Sequence, residues 1–226
     1  MKAFKKYAER LSKDDQAALE RRALWPAMVE RIEKVFSPIK TSPLAEHFGS
    51  LHLHPVVPEA LKKLPNEGIL NQLQLSCCSR HLGLTGIERK VEERKGKAKP
   101  LFEDGAALWV NQAPSGAVTV FIAPYTSDVL AMNEENIILG MYRTPEKLTE
   151  RRIKRIFSTF FRYLSVTSAH HQQSITDYAW RLMLIYKDVR TRKYQGNLKV
   201  LERVVIAAGA IACIWVLFIP AGGAGS

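Results

Sequence analysis

Several groups of residues in this chain have the types and spacing that chemistry requires. His52 and His54, separated by one residue, would point the same way on a strand, as two metal ligands do. A metal site wants three or four ligands. His47 is the only nearby addition, and His170-His171 could join only through the fold. The run Cys77-Cys78-Ser79-Arg80-His81 holds the ingredients of a Cys/His nucleophile. Neighbours on a helix diverge by ~100°, so only one of the two thiols could serve there. Cysteine is also common as a small buried hydrophobe. The pairs Glu103-Asp104 and Glu134-Glu135 could work as acid and base. Both sit in turn-like segments, with no histidine or third carboxylate at a set spacing, and read as turn residues. The histidines and cysteines read as ordinary surface or core residues. No metal or cofactor is expected, and no catalytic residue is assigned.

The sequence holds no P-loop, G-x-G-x-x-G, G-x-S-x-G or H-E-x-x-H motif. That does not exclude an enzyme, but it offers no positive argument for one. The stronger signal is charge. The 226 residues carry 33 Lys or Arg against 22 Asp or Glu, a net charge of +11. Residues 143–203 hold 14 basic and 5 acidic residues, while the first 142 hold 19 and 17. The positive excess therefore lies in the last third, just before an uncharged run.

That run, Val204–Ile219, has no charge in 16 residues, and Ala221 extends it beyond Pro220 to 18 positions. As a helix it would rise ~27 Å, close to the ~30 Å hydrocarbon core of a bilayer. A transmembrane helix is therefore expected over 201–221. Lys199 and Arg203 flank one end, and Trp215 lies toward the other, where an indole prefers an interface. Basic flanks stay in the cytoplasm. The N-terminal MKAFKKYAERLSKDDQ has no apolar core of a secretory signal. Three cysteines, two adjacent and one within the apolar run, make no disulfide framework. Together these imply a single-pass, tail-anchored protein of the bacterial inner membrane with its N-terminal domain in the cytoplasm. Within the span, Ala208 and Ala212, and Gly209 and Cys213, place small residues four apart, a spacing that permits close helix contact in lipid.

The elements that must position these residues read as follows. Residues 1–36 form a helical segment. Phe4, Tyr7, Ala8 and Leu11 share one face, Ser12 with Asp15 resembles a capping box that starts a second helix, and Pro26 should break the run. Residues 37–66 hold five of the eleven prolines and read as an irregular connector, with a short extended piece at 51–57. Residues 67–200 form an α+β cytosolic domain. It begins with a helix over 66–81 that turns Ile69, Leu70, Leu73 and Leu75 inward. Residues 88–99, with nine charges in twelve positions, read as a solvated loop or turn of helix. Ala106–Asn111 and Val118–Ala123 make a hairpin around Gln-Ala-Pro-Ser-Gly, and Ile137–Tyr142 adds a third antiparallel strand. Amphipathic helices should cover this small sheet. The first starts at Thr144-Pro145 and buries Leu148, Ile153, Ile156, Phe157, Phe160, Phe161 and Leu164. The second starts near Ser174 and should bury Ile175, Tyr178, Ala179, Leu182, Met183, Tyr186 and Val189.

The first covering helix carries the best functional candidate. Arg151, Arg152, Lys154, Arg155 and Arg162 occupy its polar side. With Arg190, Arg192, Lys193, Lys199 and Arg203 they form a membrane-proximal basic surface. Such a surface can enforce topology, grip anionic lipids, or bind a nucleotide or nucleic acid. The leading expectation is a domain that binds or senses a cytosolic partner, as part of a membrane complex or an oligomeric effector. The partners implied are the lipid bilayer, with anionic lipids, and a protein or a second copy of the chain; nucleic acid ranks lower. Two alternatives stand beside it: a membrane-tethered hydrolase whose active site assembles only in three dimensions, and a membrane-tethered nucleic-acid or nucleotide binder.

Overall fold

A computed structural model describes residues 1–55, 71–88, 97–127, 129 and 136–188. The architecture is α+β, with helices at the N-terminus followed by antiparallel sheets. Helix α1 spans Lys2–Ala23 and α2 spans Trp25–Lys40. No second helix starts at Ser12: that residue and Asp15 lie inside α1, where no Pro or Gly interrupts the chain. The break comes at Leu24, and Pro26 sits in the first turn of α2, where its missing N–H costs nothing. No residue of α1 is buried, and Phe4, Tyr7 and Leu11 are exposed along it. Helix α2 instead buries Met28, Ile32, Val35 and Phe36. A short 3-10 turn, Pro43–Phe48, follows.

The strands are β1 (Leu51–Pro55), β2 (Gln72–Cys77), β3 (Arg80–Glu88), β4 (Lys97–Asp104), β5 (Ala107–Gln112), β6 (Val118–Ala123), β7 (Thr126–Ser127) and β8 (Ile137–Tyr142). They form a five-stranded sheet in the order β1-β2-β5-β6-β8 and a three-stranded sheet in the order β3-β4-β7. The five-stranded sheet is antiparallel throughout. The hairpin and third strand expected from the sequence are thus β5, β6 and β8. The helix expected over 66–81 is not present at its described end. Residues 72–77 form β2, in which Leu73, Leu75 and Cys77 are buried and alternate with Gln72, Gln74 and Ser76. A period of two satisfies a one-sided sheet, so those leucines do point inward, but from a strand. Part of the charged stretch 88–99 is strand too: Lys97 and Lys99 lie in β4, opposite Glu88 and Gly86.

Helix α3 spans Glu150–Thr167 and α4 spans Ile175–Tyr186. The chain from Thr144 first makes a 3-10 turn, Pro145–Lys147, rather than the start of the helix. Leu148 follows with ψ of 70° and is buried, which takes the backbone out of the helical run before Thr149 caps α3. The core then closes between one face of the large sheet and two helices. Leu75, Leu108, Val120 and Ile122 meet Met28 and Ile32 of α2 and Ile153, Phe157, Phe160 and Leu164 of α3. Each such side chain contributes about 1.5–3 kcal/mol on burial. Beside this core Lys34 Nζ pairs with Glu150 Oε1 at 2.9 Å, and Arg31 Nη2 donates to the Pro145 carbonyl at 3.2 Å.

Helix α4 reverses its expected orientation. Ser174 caps it as the sequence suggests, its hydroxyl accepting the Asp177 N–H. The residues it buries are Arg181 and Leu184. Ile175, Tyr178, Leu182, Met183 and Tyr186, expected to be inside, are exposed. Among the described residues, no helix is long and apolar enough to cross a membrane. The span expected at 201–221, with Ala208, Gly209, Ala212 and Cys213, lies outside the described residues, as do Arg190, Arg192, Lys193, Lys199 and Arg203.

Candidate functional site

The basic residues of α3 share its solvent-exposed side, with Arg151, Arg155 and Arg162 between Lys154 at one margin and Arg152 at the other. Lys154 falls on the α2 side, at the edge of an apolar recess of about 510 Å³ that includes Val35, Ile39, Phe48 and Phe161. Arg151 is exposed. Arg152 and Arg155 fall on the opposite flank and meet Lys187 from the end of α4 around a groove of about 340 Å³. Its walls are Ile138, Leu139 and Tyr142 of β8, Ile156 and Thr159 of α3, and Trp180, Met183 and Leu184 of α4. Three cations line it and no carboxylate does.

Each cation is held differently. Arg152 Nη1 donates to the Lys147 carbonyl at 2.7 Å, and its guanidinium lies over the Tyr142 ring at 5.6 Å. Burial pushes the Tyr142 phenol above its ordinary range, against the opposing pull of Arg152 and Arg155. At neutral pH it is therefore a hydroxyl donor. The ring passes over Gly140, where a Cβ would sit 3.0 Å from the phenol oxygen. Arg155 and Lys187 make no ion pair among the described residues. Arg162 serves the scaffold instead. It lies over the Trp180 ring at 4.4 Å and approaches Asp177 at 3.9 Å, which ties α4 to α3 and forms the groove wall. Three cations with a phenol donor over an apolar floor can bind a phosphate- or carboxylate-bearing group whose remainder is apolar or aromatic.

No protein-family model matches the chain, and no curated protein or solved structure matches it.

The other candidates take structural places. His52 and His54 do share the exposed face of β1, yet no group of three or more potential metal ligands occurs among the described residues. His47 is elsewhere, lining a cleft with Arg80, Tyr125, His170 and His171. Cys77 ends β2 facing the core, and burial pushes its thiol up to about 12, with a Tyr125 hydrogen bond partly opposing. A thiol so held stays protonated and is not an activated nucleophile. Cys78 is exposed. His81 accepts the Gly83 N–H at 2.9 Å on Nδ1 and stacks edge-on against Phe102. Glu134-Glu135 lies outside the described residues.

Glu103 departs furthest from its expected place. It is a fully buried member of β4, not a turn residue. Its carboxylate pairs with Arg80 Nη2 at 2.5 Å and accepts the Ser168 hydroxyl at 3.1 Å and the Ala169 N–H at 2.8 Å. Arg80 also donates to the Ser168 hydroxyl and to the His47 carbonyl. One ion pair, with its carboxylate buried, thus joins the small sheet, the 3-10 turn and the C-terminus of α3.

Proposed function

We propose that this chain is a tail-anchored, single-pass protein of the bacterial inner membrane whose cytosolic α+β domain binds an anionic partner. The observation that carries the reading is the cation-lined groove between α3, α4 and β8, in which Arg155 and Lys187 have no ion-pair partner among the described residues. The reading is also supported by the apolar run 204–219 and by the basic excess that precedes it. A partner held in the groove replaces the water around these cations with charge-assisted hydrogen bonds. The domain acts as one component of a membrane-associated assembly.

The test is recovery of the partner with the intact protein from membranes. Replacing Arg152 and Arg155 with Ala should weaken retention about a hundredfold, since two hydrogen bonds to charged groups contribute roughly 3 kcal/mol. Rising salt should release the partner from the unaltered protein. Retention that ignores both changes would sink the reading. Alkaline extraction tests the anchor separately, because a true span stays with the lipid.

A further inference from the structure

We infer that the exposed face of α4 is a membrane-docking surface that seats the domain on an anionic leaflet, with the neighbouring cations taking lipid phosphates. This rests on the membrane reading above and names the anion as a phospholipid headgroup. Three observations support it.

The first is the face itself. Ile175 is 88% exposed, Tyr186 58%, Tyr178 57% and Leu182 47%, on a helix of twelve residues. At 100° per residue these positions and Met183 lie on one side, and no charged residue falls among them. Arg181 and Leu184 occupy the buried side. An apolar patch of this kind marks an interaction surface. Its mixture of aliphatic side chains with tyrosines suits the headgroup boundary, where an aromatic ring buries its body and keeps its hydroxyl wet.

The second is charge complementarity. Met183 belongs to both the exposed face and the groove, so the apolar side of α4 runs directly into the cluster of Arg152, Arg155 and Lys187. The nearest acid on α4, Asp177, is taken up by Ser174, His171 and Arg162. A cationic rim beside an uncharged apolar face is the pattern of an interfacial helix on anionic lipid.

The third is reach. Lys187 and Val204 are separated by residues 188–203, a length that spans at most about 60 Å when fully extended. The domain that carries α4 is therefore tethered within that distance of any bilayer that holds the apolar run.

The experiment uses the full chain in vesicles, with Cys78→Ser and Cys213→Ser, and measures labelling of Leu182→Cys by a membrane-impermeant maleimide. Glu46→Cys, exposed on the 3-10 turn, is the reference position. One vesicle preparation is phosphatidylcholine alone, and the other contains one part in three phosphatidylglycerol. Docking predicts slower labelling of Leu182→Cys in the anionic vesicles, by roughly fivefold for each cation engaged, with Glu46→Cys unchanged. Arg152→Glu with Arg155→Glu should abolish the difference. Equal rates at Leu182→Cys in the two lipids, fast or slow, would overturn the proposal; slow and equal rates would mean that a second copy covers the face. Protection that survives the charge reversal would overturn it too. Alkali distinguishes the premises. A chain stripped from the vesicles by alkali but protected in anionic lipid refutes the span and leaves the docking face standing. A chain that resists alkali but labels equally refutes the docking face alone.

Discussion

Two carboxylates show how differently single residues can hold this fold. Glu103 is buried against the half-buried Arg80, so Glu103→Ala leaves a partly enclosed guanidinium without its counter-charge. Loss of one member of a buried pair costs about 3–5 kcal/mol. The lower end is expected here, because Arg80 keeps some access to water. Urea unfolding should show the midpoint falling, and the double variant Glu103→Leu, Arg80→Met should recover most of the loss. Asp177 is a different case. The Ser174 hydroxyl, more than His171, holds its carboxyl below the ordinary value of 3.8. A depressed carboxylate adds stability above its unfolded value, and that stability disappears as pH falls through the lower folded value. Thermal unfolding should therefore lose stability as pH drops below about 4, more steeply in the natural chain than in Asp177→Asn. Identical pH profiles for the two would refute the assignment.

Among the elements, the docking of α1 depends on a turn. Gly116 between β5 and β6 has φ of 80°, and a Cβ there would come within 2.4 Å of the Arg21 Cβ. Arg21 Nε donates to the Ser115 carbonyl at 2.7 Å beside it. Gly116→Ala should cost about 1–3 kcal/mol from the backbone alone and push the end of α1 off the turn. Faster amide exchange at residues 15–23 would report that displacement; unchanged exchange would refute it. The β5–β6 hairpin was legible because Pro, Ser and Gly punctuate two β-branched runs. Strand β2 was not, because Ile69, Leu70 and Leu73 also fit a helical spacing, which hid the two-residue period of Leu73, Leu75 and Cys77. The apolar residues of α4 do share one side of the helix, but that side faces outward. Periodicity says which residues share a face and cannot say what covers it. The groove was half legible: Arg152 and Arg155 stood out as basic, while Lys187 and Tyr142 join them only through packing. Glu103 gave no signal, since Arg80 is a strand away and Ser168 lies 65 residues on.

At the scale of the whole molecule, copies of the chain are expected to meet through the small-residue face of the apolar run. Crosslinking in membranes should capture a dimer or larger species from the natural chain and lose it in Gly209→Ile, where a branched side chain prevents close approach. Monomer alone in both would exclude that contact. The packing of α2 beside α3 bears on a different matter, the order of events during synthesis. The Lys34–Glu150 pair that joins these helices links residues 116 positions apart, and the Arg31 bond to the Pro145 carbonyl, in the turn that leads into α3, spans 114. At roughly 5–20 residues per second the ribosome needs about 6–23 s to make that interval. For that time Met28, Ile32, Val35 and Phe36 have emerged and α3 does not yet exist. The nascent N-terminal helices cannot complete this core by themselves, and for that interval their apolar side chains stay without the partners that α3 supplies.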